Sequence, residues 1–354
     1  MRDAPLSPGD LVGERYRIVQ LLGEGGMGRV YEAEHVLLRH RVAVKLLRRD
    51  RQSAEHLARF RQEAEAAGRI GHAAIVGVSD FAGRDEPNAY MVMELLRGES
   101  LEAWLSRPGR LLVGLEALVE VARGLQAAHA AGVVHRDLKP ANLFLHRAAD
   151  GRLQPKILDF GIAKLASTEH TAIATAAGTV LGTPYYLAPE RALGRPLDAR
   201  ADLYSLGVIL YEVLTGTVPF VDETFMGVLA KHVKQAALDP RQAAPDRGVP
   251  DGLARLTMSL LAKEPQARPA TAEAVAVELE RLIVAEGDAI ARAVTGPREH
   301  SNDALATVHI DEIAERPTSV PGDLHSQQTR SLDATPSSGT VPMVATPSSS
   351  GTVP

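Results

Sequence analysis

His135-Arg136-Asp137-Leu138-Lys139-Pro140-Ala141-Asn142, followed downstream by Asp159-Phe160-Gly161, is the stretch that decides how this chain reads. Transfer of a phosphoryl group needs one side chain to orient the attacking hydroxyl and cations to neutralise charge on the moving phosphate. Asp137 can do the first. Asn142 offers a neutral oxygen to a magnesium ion, and Asp159 offers the same metal a hard carboxylate. Any one of these residues alone is more simply a solvated loop side chain. Their order and combination carry the reading.

Upstream, Arg17-Ile18-Val19-Gln20-Leu21-Leu22 reads as a strand and runs into Gly23-Glu24-Gly25-Gly26-Met27-Gly28-Arg29-Val30. Such a glycine pattern also fits a dinucleotide-binding turn. That alternative requires a helix to open at the glycines. Here the next residues, Arg29-Val30-Tyr31-Glu32-Ala33-Glu34-His35, alternate apolar or small side chains with polar ones, which is a strand pattern. The glycines therefore sit on a hairpin whose bare backbone can approach phosphates closely. A second strand, Arg41-Val42-Ala43-Val44-Lys45-Leu46-Leu47, places a lysine in an apolar run, and Ser53 is a fitting N-cap for a helix through Arg69.

These motifs resemble the signature set of the protein kinases, and within it the bacterial serine/threonine members called eukaryotic-like or Hanks-type kinases. The resemblance covers about residues 15–285. It implies an α+β, bilobal protein-kinase fold: a small β-rich N-lobe over 15–93, a hinge over 94–99 and a larger, mostly helical C-lobe over 100–285. Residues 1–14 form a leader, and 286–354 a linker with a Ser/Thr/Pro-rich tail. By the same resemblance Lys45 holds the nucleotide phosphates and takes its anionic partner from Phe60-Arg61-Gln62-Glu63-Ala64, which maps the partner to Glu63, with Glu65 as the alternative. Leu22, Gly23, Glu24, Gly25, Gly26, Met27, Gly28, Val30, Ala43 and Phe144 would surround ATP. Met93 would gate the back of the pocket, and the Glu94 carbonyl and Leu96 amide would bond the adenine edge. Asn142 and Asp159 would hold Mg2+ (or Mn2+).

Leu115, Leu118, Val119, Ala122 and Leu125 repeat at helical steps as one apolar stripe, and Ala131-Gly132 closes that helix. Residues 203–214 are apolar nearly all round, which marks a buried helix, too short to span a bilayer. Asp202, directly ahead of it, matches the family aspartate that anchors the catalytic loop. Gly182-Thr183-Pro184-Tyr185-Tyr186-Leu187-Ala188-Pro189-Glu190 resembles the peptide-docking end of an activation segment, with Glu190 implied to pair with Arg268. Lys139 and Thr183 are features of the serine/threonine branch; they imply that Lys139 reaches the γ-phosphate and that Thr183 bonds Asp137.

Arg136 and Lys164 face the activation segment as two cations suited to phosphate. Of its hydroxyls the same resemblance favours Thr179, four residues before Thr183, where kinases with this pattern carry an activating phosphothreonine. Thr175 and Thr171 come next, whereas Ser167 and Thr168 read as ordinary loop residues. Activation by trans-autophosphorylation through a transient homodimer, and a partner that reads phosphothreonine, follow as expectations.

With 354 residues and 45% hydrophobic content the chain can bury a two-lobed core and carry extra sequence. The absence of cysteine excludes a disulfide framework or thiolate metal site. A formal net charge of −5 argues against a nucleic-acid footprint. No apolar leader or membrane-length run is present, so a cytoplasmic protein is expected. The tail carries an imperfect repeat, residues 334–342 and 345–354, whose Ser, Thr, Pro and Gly cannot bury enough apolar surface to fold. A flexible linker is the simplest reading, and a phosphorylated Thr-Pro docking tail the functional one. A pseudokinase scaffold would be expected to lose Lys45, Asp137 or Asp159. A small-molecule kinase would lack the segment from Gly182 to Glu190.

Overall fold

A computed structural model describes residues 5–25, 28–48, 53–83, 89–160 and 183–295. The chain opens with strands β1 (Leu11–Val12), β2 (Tyr16–Glu24), β3 (Gly28–His35) and β4 (Arg41–Leu47). Helix α1 (Ala54–Ile70) follows, then β5 (Val78–Ala82) and β6 (Tyr90–Glu94). The six strands form one antiparallel sheet in the order β1-β2-β3-β4-β6-β5. Its hydrophobic side gathers Ile18, Tyr31, Ala33, Val44, Tyr90 and Val92. Alternation along β3 buries Tyr31 and Ala33 and turns their neighbours outward. Ser53 caps α1 by accepting the His56 amide at 3.3 Å. Phe60, Glu63, Ala64 and Ala67 form the helix's buried face.

Past β6 the chain makes β7 (Gly98–Ser100), α2 (Leu101–Leu105), β8 (Gly109–Arg110) and the long helix α3 (Leu111–Ala130). Two further strands, β9 (Leu143–Arg147) and β10 (Leu153–Ile157), join β7 in a small sheet of order β10-β9-β7. After residue 183 come α4 (Pro189–Ala192), α5 (Arg200–Thr215), α6 (Phe225–Lys234) and α7 (Pro240–Ala243). Then follow α8 (Asp251–Leu260), α9 (Ala272–Ala285), α10 (Gly287–Arg292) and β11 (Val294–Thr295). α5 is buried on nearly all sides, as a sequence apolar nearly all round requires. It lies so close to α8 that a Cβ on Gly207 would meet Leu260 Cβ at 2.5 Å. The helix begins at Arg200, so Asp202 stands in its first turn and not ahead of it.

Past residue 285 the chain continues as a short helix and a short strand. α10 carries Ile290, 1% exposed, into the main core, and β11 pairs with β8 through Val294↔Arg110 and Thr295↔Gly109. One apolar side chain and a two-residue strand leave almost no local pattern to read. No helix among the described residues is long and apolar enough to cross a membrane. The tail repeats lie outside the described residues.

One buried ion pair holds the end of the segment from Thr183 to Glu190. Arg268 Nη1 and Nη2 donate to the two oxygens of Glu190 at 2.7 and 2.8 Å. Its remaining donors go to the carbonyls of Ala262, Arg200 and Lys263, and its guanidinium stacks on Tyr204 at 4.9 Å. All five donors of the guanidinium fork are used. Arg268→Ala would strand a buried carboxylate, which costs about 3–5 kcal/mol. A urea titration should show the folded state weakened by that order, and a loss below about 1 kcal/mol would place the pair with ordinary surface bridges.

Candidate active site

Lys45 reaches the cleft because β4 lies between β3 and β6 and presents it opposite Val30 and Met91. Its ammonium donates to Glu63 Oε1 at 2.8 Å and to Asp159 Oδ1 at 2.7 Å. Lys45 and Glu63 are buried, while the Asp159 side chain keeps 52% of its surface open to the cleft. The partner on α1 is thus Glu63. Glu65 lies on an exposed face and pairs with Arg61 at 2.7 Å.

Two carboxylates share one ammonium, and the titration behaviour reflects that. Burial pushes the Glu63 carboxyl up to about 7; Lys45 opposes the rise and Asp159 adds to it. Burial also works against the Lys45 ammonium, but the charges of Asp159 and Glu63 outweigh it and hold the lysine above its ordinary range. Asp159 itself is held below the usual carboxylate range, burial being overcome by Lys45.

The His135–Asn142 loop is fixed from below. Asp202 accepts the His135 amide on Oδ2 and the Arg136 amide on Oδ1, both at 2.8 Å, and Oδ2 lies 2.8 Å from His129 Nε2. His135 Nδ1 accepts the Asp137 amide at 3.3 Å, which leaves Nε2–H to donate to the Leu158 carbonyl at 2.9 Å. The His135 ring also packs 5.0 Å from that of Phe160, which is itself buried. Lys139 Nζ stands 3.6 Å from Asp137 Oδ2. Asn142 Nδ2 donates to the Asp137 carbonyl at 2.8 Å and lies 3.3 Å from Asp137 Oδ2. Its amide NH2 is therefore engaged, and the side-chain oxygen is the end left for a cation.

The pocket walls come from both lobes. Leu22, Gly23, Glu24 and Gly25 are exposed along the end of β2, with Gly28 and Val30 beyond them on β3. A Cβ on Gly23 would meet nothing within 4 Å, whereas one on Gly28 would strike the Leu46 carbonyl at 2.1 Å. Ala43 pairs with Met93 across β4 and β6, and Met93 packs beside the cluster of Leu47, Phe60, Ala64 and Met91. Glu94 and Leu96 follow as the chain leaves β6. Phe144, half-buried, enters from below on β9. Thr183 caps the short turn Pro184–Tyr186; it is exposed, and its hydroxyl makes no hydrogen bond among the described residues. Gly26, Met27, Gly161, Lys164, Ser167, Thr168, Thr171, Thr175, Thr179 and Gly182 lie outside the described residues.

A family model described as the protein kinase domain matches residues 16–279. The chain belongs to the protein kinase family. Among curated relatives, the serine/threonine-protein kinase Pkn1 of Myxococcus xanthus is 43% identical over 265 residues, covering 74% of this chain and 38% of Pkn1. The serine/threonine-protein kinase PknA of Mycobacterium tuberculosis is 38% identical over 262 residues, covering 72% of this chain and 58% of PknA. The chain thus spans from about a third to a half of the first curated relatives it matches. The crystal structure of the Mycobacterium tuberculosis PknI kinase domain superposes with a TM-score of 0.59 at 26% identity, covering 78% of this chain and 98% of that one.

Three polar arrangements in this chain were not read from the sequence. Lys156, buried on β10, donates to Glu94 Oε1 at 2.7 Å, and the same oxygen accepts the Gly77 amide at 2.8 Å. The carboxylate at the exit of β6 is thereby tied to both lobes. Tyr186 donates to Glu212 Oε2 at 2.7 Å. Burial lifts Glu212 to about 7, against the pull of that hydrogen bond. Arg191 donates to the Arg136 carbonyl. Each pairs residues far apart in sequence, so no local period announces it.

The raised Glu63 has a stability consequence of defined sign. Its carboxyl goes from 4.5 to about 7 on folding, so the folded protein keeps a proton that the unfolded chain releases. The associated stabilisation is fully present below about pH 4.5 and is lost as pH rises through about 7. Between pH 5 and pH 8 the wild-type urea midpoint should carry this loss, and Glu63→Gln should lack it. Parallel profiles for the two proteins would refute the assignment.

Proposed function

We propose that the chain is an ATP-dependent serine/threonine protein kinase, acting with Mg2+ or Mn2+ and switched by phosphorylation in its activation segment. The observation that carries this is the Lys45 ammonium set between Glu63 and Asp159 beside the Asp137–Asn142 loop. That is the pairing a kinase needs before it can transfer phosphate. The names of the relatives support the serine/threonine class.

In this reading Asp137 orients the substrate hydroxyl and accepts its proton, and Lys139 beside it faces the γ-phosphate. Lys45 holds the α- and β-phosphates under the glycine hairpin, where the open space at Gly23 suits close approach. Leu22, Val30, Ala43 and Phe144 would enclose the adenine, with Met93 toward the back of the pocket and Glu94 and Leu96 toward its edge. The residues also fit a hard divalent cation: Asp159 offers a half-open carboxylate and Asn142 an amide oxygen whose NH2 is already bound. When bound, that ion neutralises charge on the transferring phosphate.

The buried Arg136 guanidinium supports the switch. Its Nε and Nη1 have no hydrogen-bond partner among the described residues, a cost that a phosphate would relieve. With Lys164 it would receive phosphate on Thr179 or Thr175, with Thr171 next, through trans-autophosphorylation in a transient homodimer. Protein substrates would dock on the segment ending at Glu190, which the Arg268 pair holds. A partner that reads phosphothreonine and a cytoplasmic location complete the proposal. The kinase domain begins near residue 15 and runs to Thr295, with a leader before it and the Ser/Thr/Pro-rich tail after.

Asp137→Asn should leave nucleotide affinity and thermal midpoint intact while lowering kcat by about 100-fold or more. ATP-dependent phosphate incorporation into a generic protein substrate measures it, and full turnover would sink the mechanism. Mass spectrometry of active protein should find phosphate on Thr179 or Thr175, and the double alanine variant should lose most activity. If dephosphorylated and doubly substituted enzymes both run at the full rate, the switch is wrong while Asp137 keeps its role.

A further inference from the structure

Arg136 has φ +67, a backbone conformation that residues with a Cβ adopt rarely and only where their surroundings enforce it. Its amide is held by Asp202 Oδ1 at 2.8 Å. Its carbonyl accepts from Arg191 Nη1. That carbonyl belongs to the peptide joining Arg136 to Asp137, so the tilt of this peptide plane sets where the Asp137 carboxylate points. We propose that Arg191 is a positioning residue for catalysis: with Asp202 it clamps the Arg136 backbone from both sides and so fixes the direction of Asp137. The proposal rests on the reading of Asp137 as the group that orients the substrate hydroxyl.

The charge arrangement argues that this bond is specific. The Arg191 guanidinium is largely withdrawn from water among the Asp137 and Asp202 carboxylates and the Arg136 guanidinium. Burial holds it below the ordinary arginine range, and the two carboxylates oppose that while Arg136 adds to it. A second cation placed next to buried Arg136 is unfavourable in itself. The carbonyl bond is what the placement gains, since a charge-assisted bond is about twice as strong as a neutral one. The docking helix does not need Arg191 to stay in place. The neighbouring residue, Glu190, already anchors α4 through both of its oxygens to Arg268. Arg191 therefore carries the position of that helix to the loop that holds Asp137.

The test uses the full chain with Arg191→Ala, Arg191→Gln and Arg191→Lys. Phosphate incorporation should show kcat lowered about 10- to 100-fold in the Ala and Gln proteins, as expected for a small misplacement of a reacting group. KM for ATP and the thermal midpoint should stay close to wild type, and Arg191→Lys, which keeps a charged donor, should recover part of the rate. Hydrogen exchange of the peptide spanning residues 133–138 should quicken about tenfold in Ala and Gln and less in Lys. The Gln protein carries the same test if the Ala protein does not fold. Full kcat with wild-type exchange overturns the proposal, as does a joint fall of kcat, ATP affinity and thermal midpoint that Lys does not rescue. Should wild type itself transfer no phosphate, the kinase reading fails, and the exchange rates alone decide the clamp: quickened supports it, unchanged overturns it.

Discussion

The ammonium of Lys45 is the constraint on which the cleft depends, because a buried cation persists only where opposite charge is brought to it. Its partners come from elements that make no local contact in sequence: Glu63 from the inward face of α1 and Asp159 from just beyond β10. Satisfying it therefore fixes the helix against the six-stranded sheet and the end of β10 against the cleft in one step. Asp159 is the carboxylate that Lys45 keeps ionised, and the cleft opens onto it through the exposed half of its side chain. A site of that kind draws a cation.

A second set of charges does for the C-lobe what Lys45 does for the cleft. Asp202 gathers the His135 and Arg136 amides with His129, and Arg268 gathers Glu190 with three carbonyls. Both belong to or touch the first turns of α5, the helix buried on nearly all sides. The His135–Asn142 loop and the segment ending at Glu190 are thus both referred to a deeply buried helix. Lys156 and Glu94 perform the corresponding task where β6 gives way to the C-lobe.

Much of this was legible in the sequence where chemistry is packed into short motifs. The glycine hairpin, the strand holding Lys45 and the His135–Asn142 loop each constrain several adjacent residues, so the pattern survives in one dimension. The choice between Glu63 and Glu65 follows from the helix period once Phe60, Ala64 and Ala67 are seen to share a buried face with Glu63. What escaped reading was of another kind. Tyr186–Glu212, Lys156–Glu94 and Arg191–Arg136 join single polar residues across long separations. The pairing of the two-residue β11 with β8 joins short segments far apart in the chain, with too little apolar repetition to register.

Glu63 and Glu212 lend the folded protein an inventory of protons that its formal charge of −5 does not record, since that figure treats every carboxylate as ionised. Burial holds both above the ordinary carboxyl range in the folded state, so near neutrality the folded chain keeps proton that free carboxylates would have released. The unfolded chain would give that proton up. Unfolding near neutrality therefore releases acid into the medium, and its apparent heat depends on the ionisation enthalpy of the buffer that takes the proton.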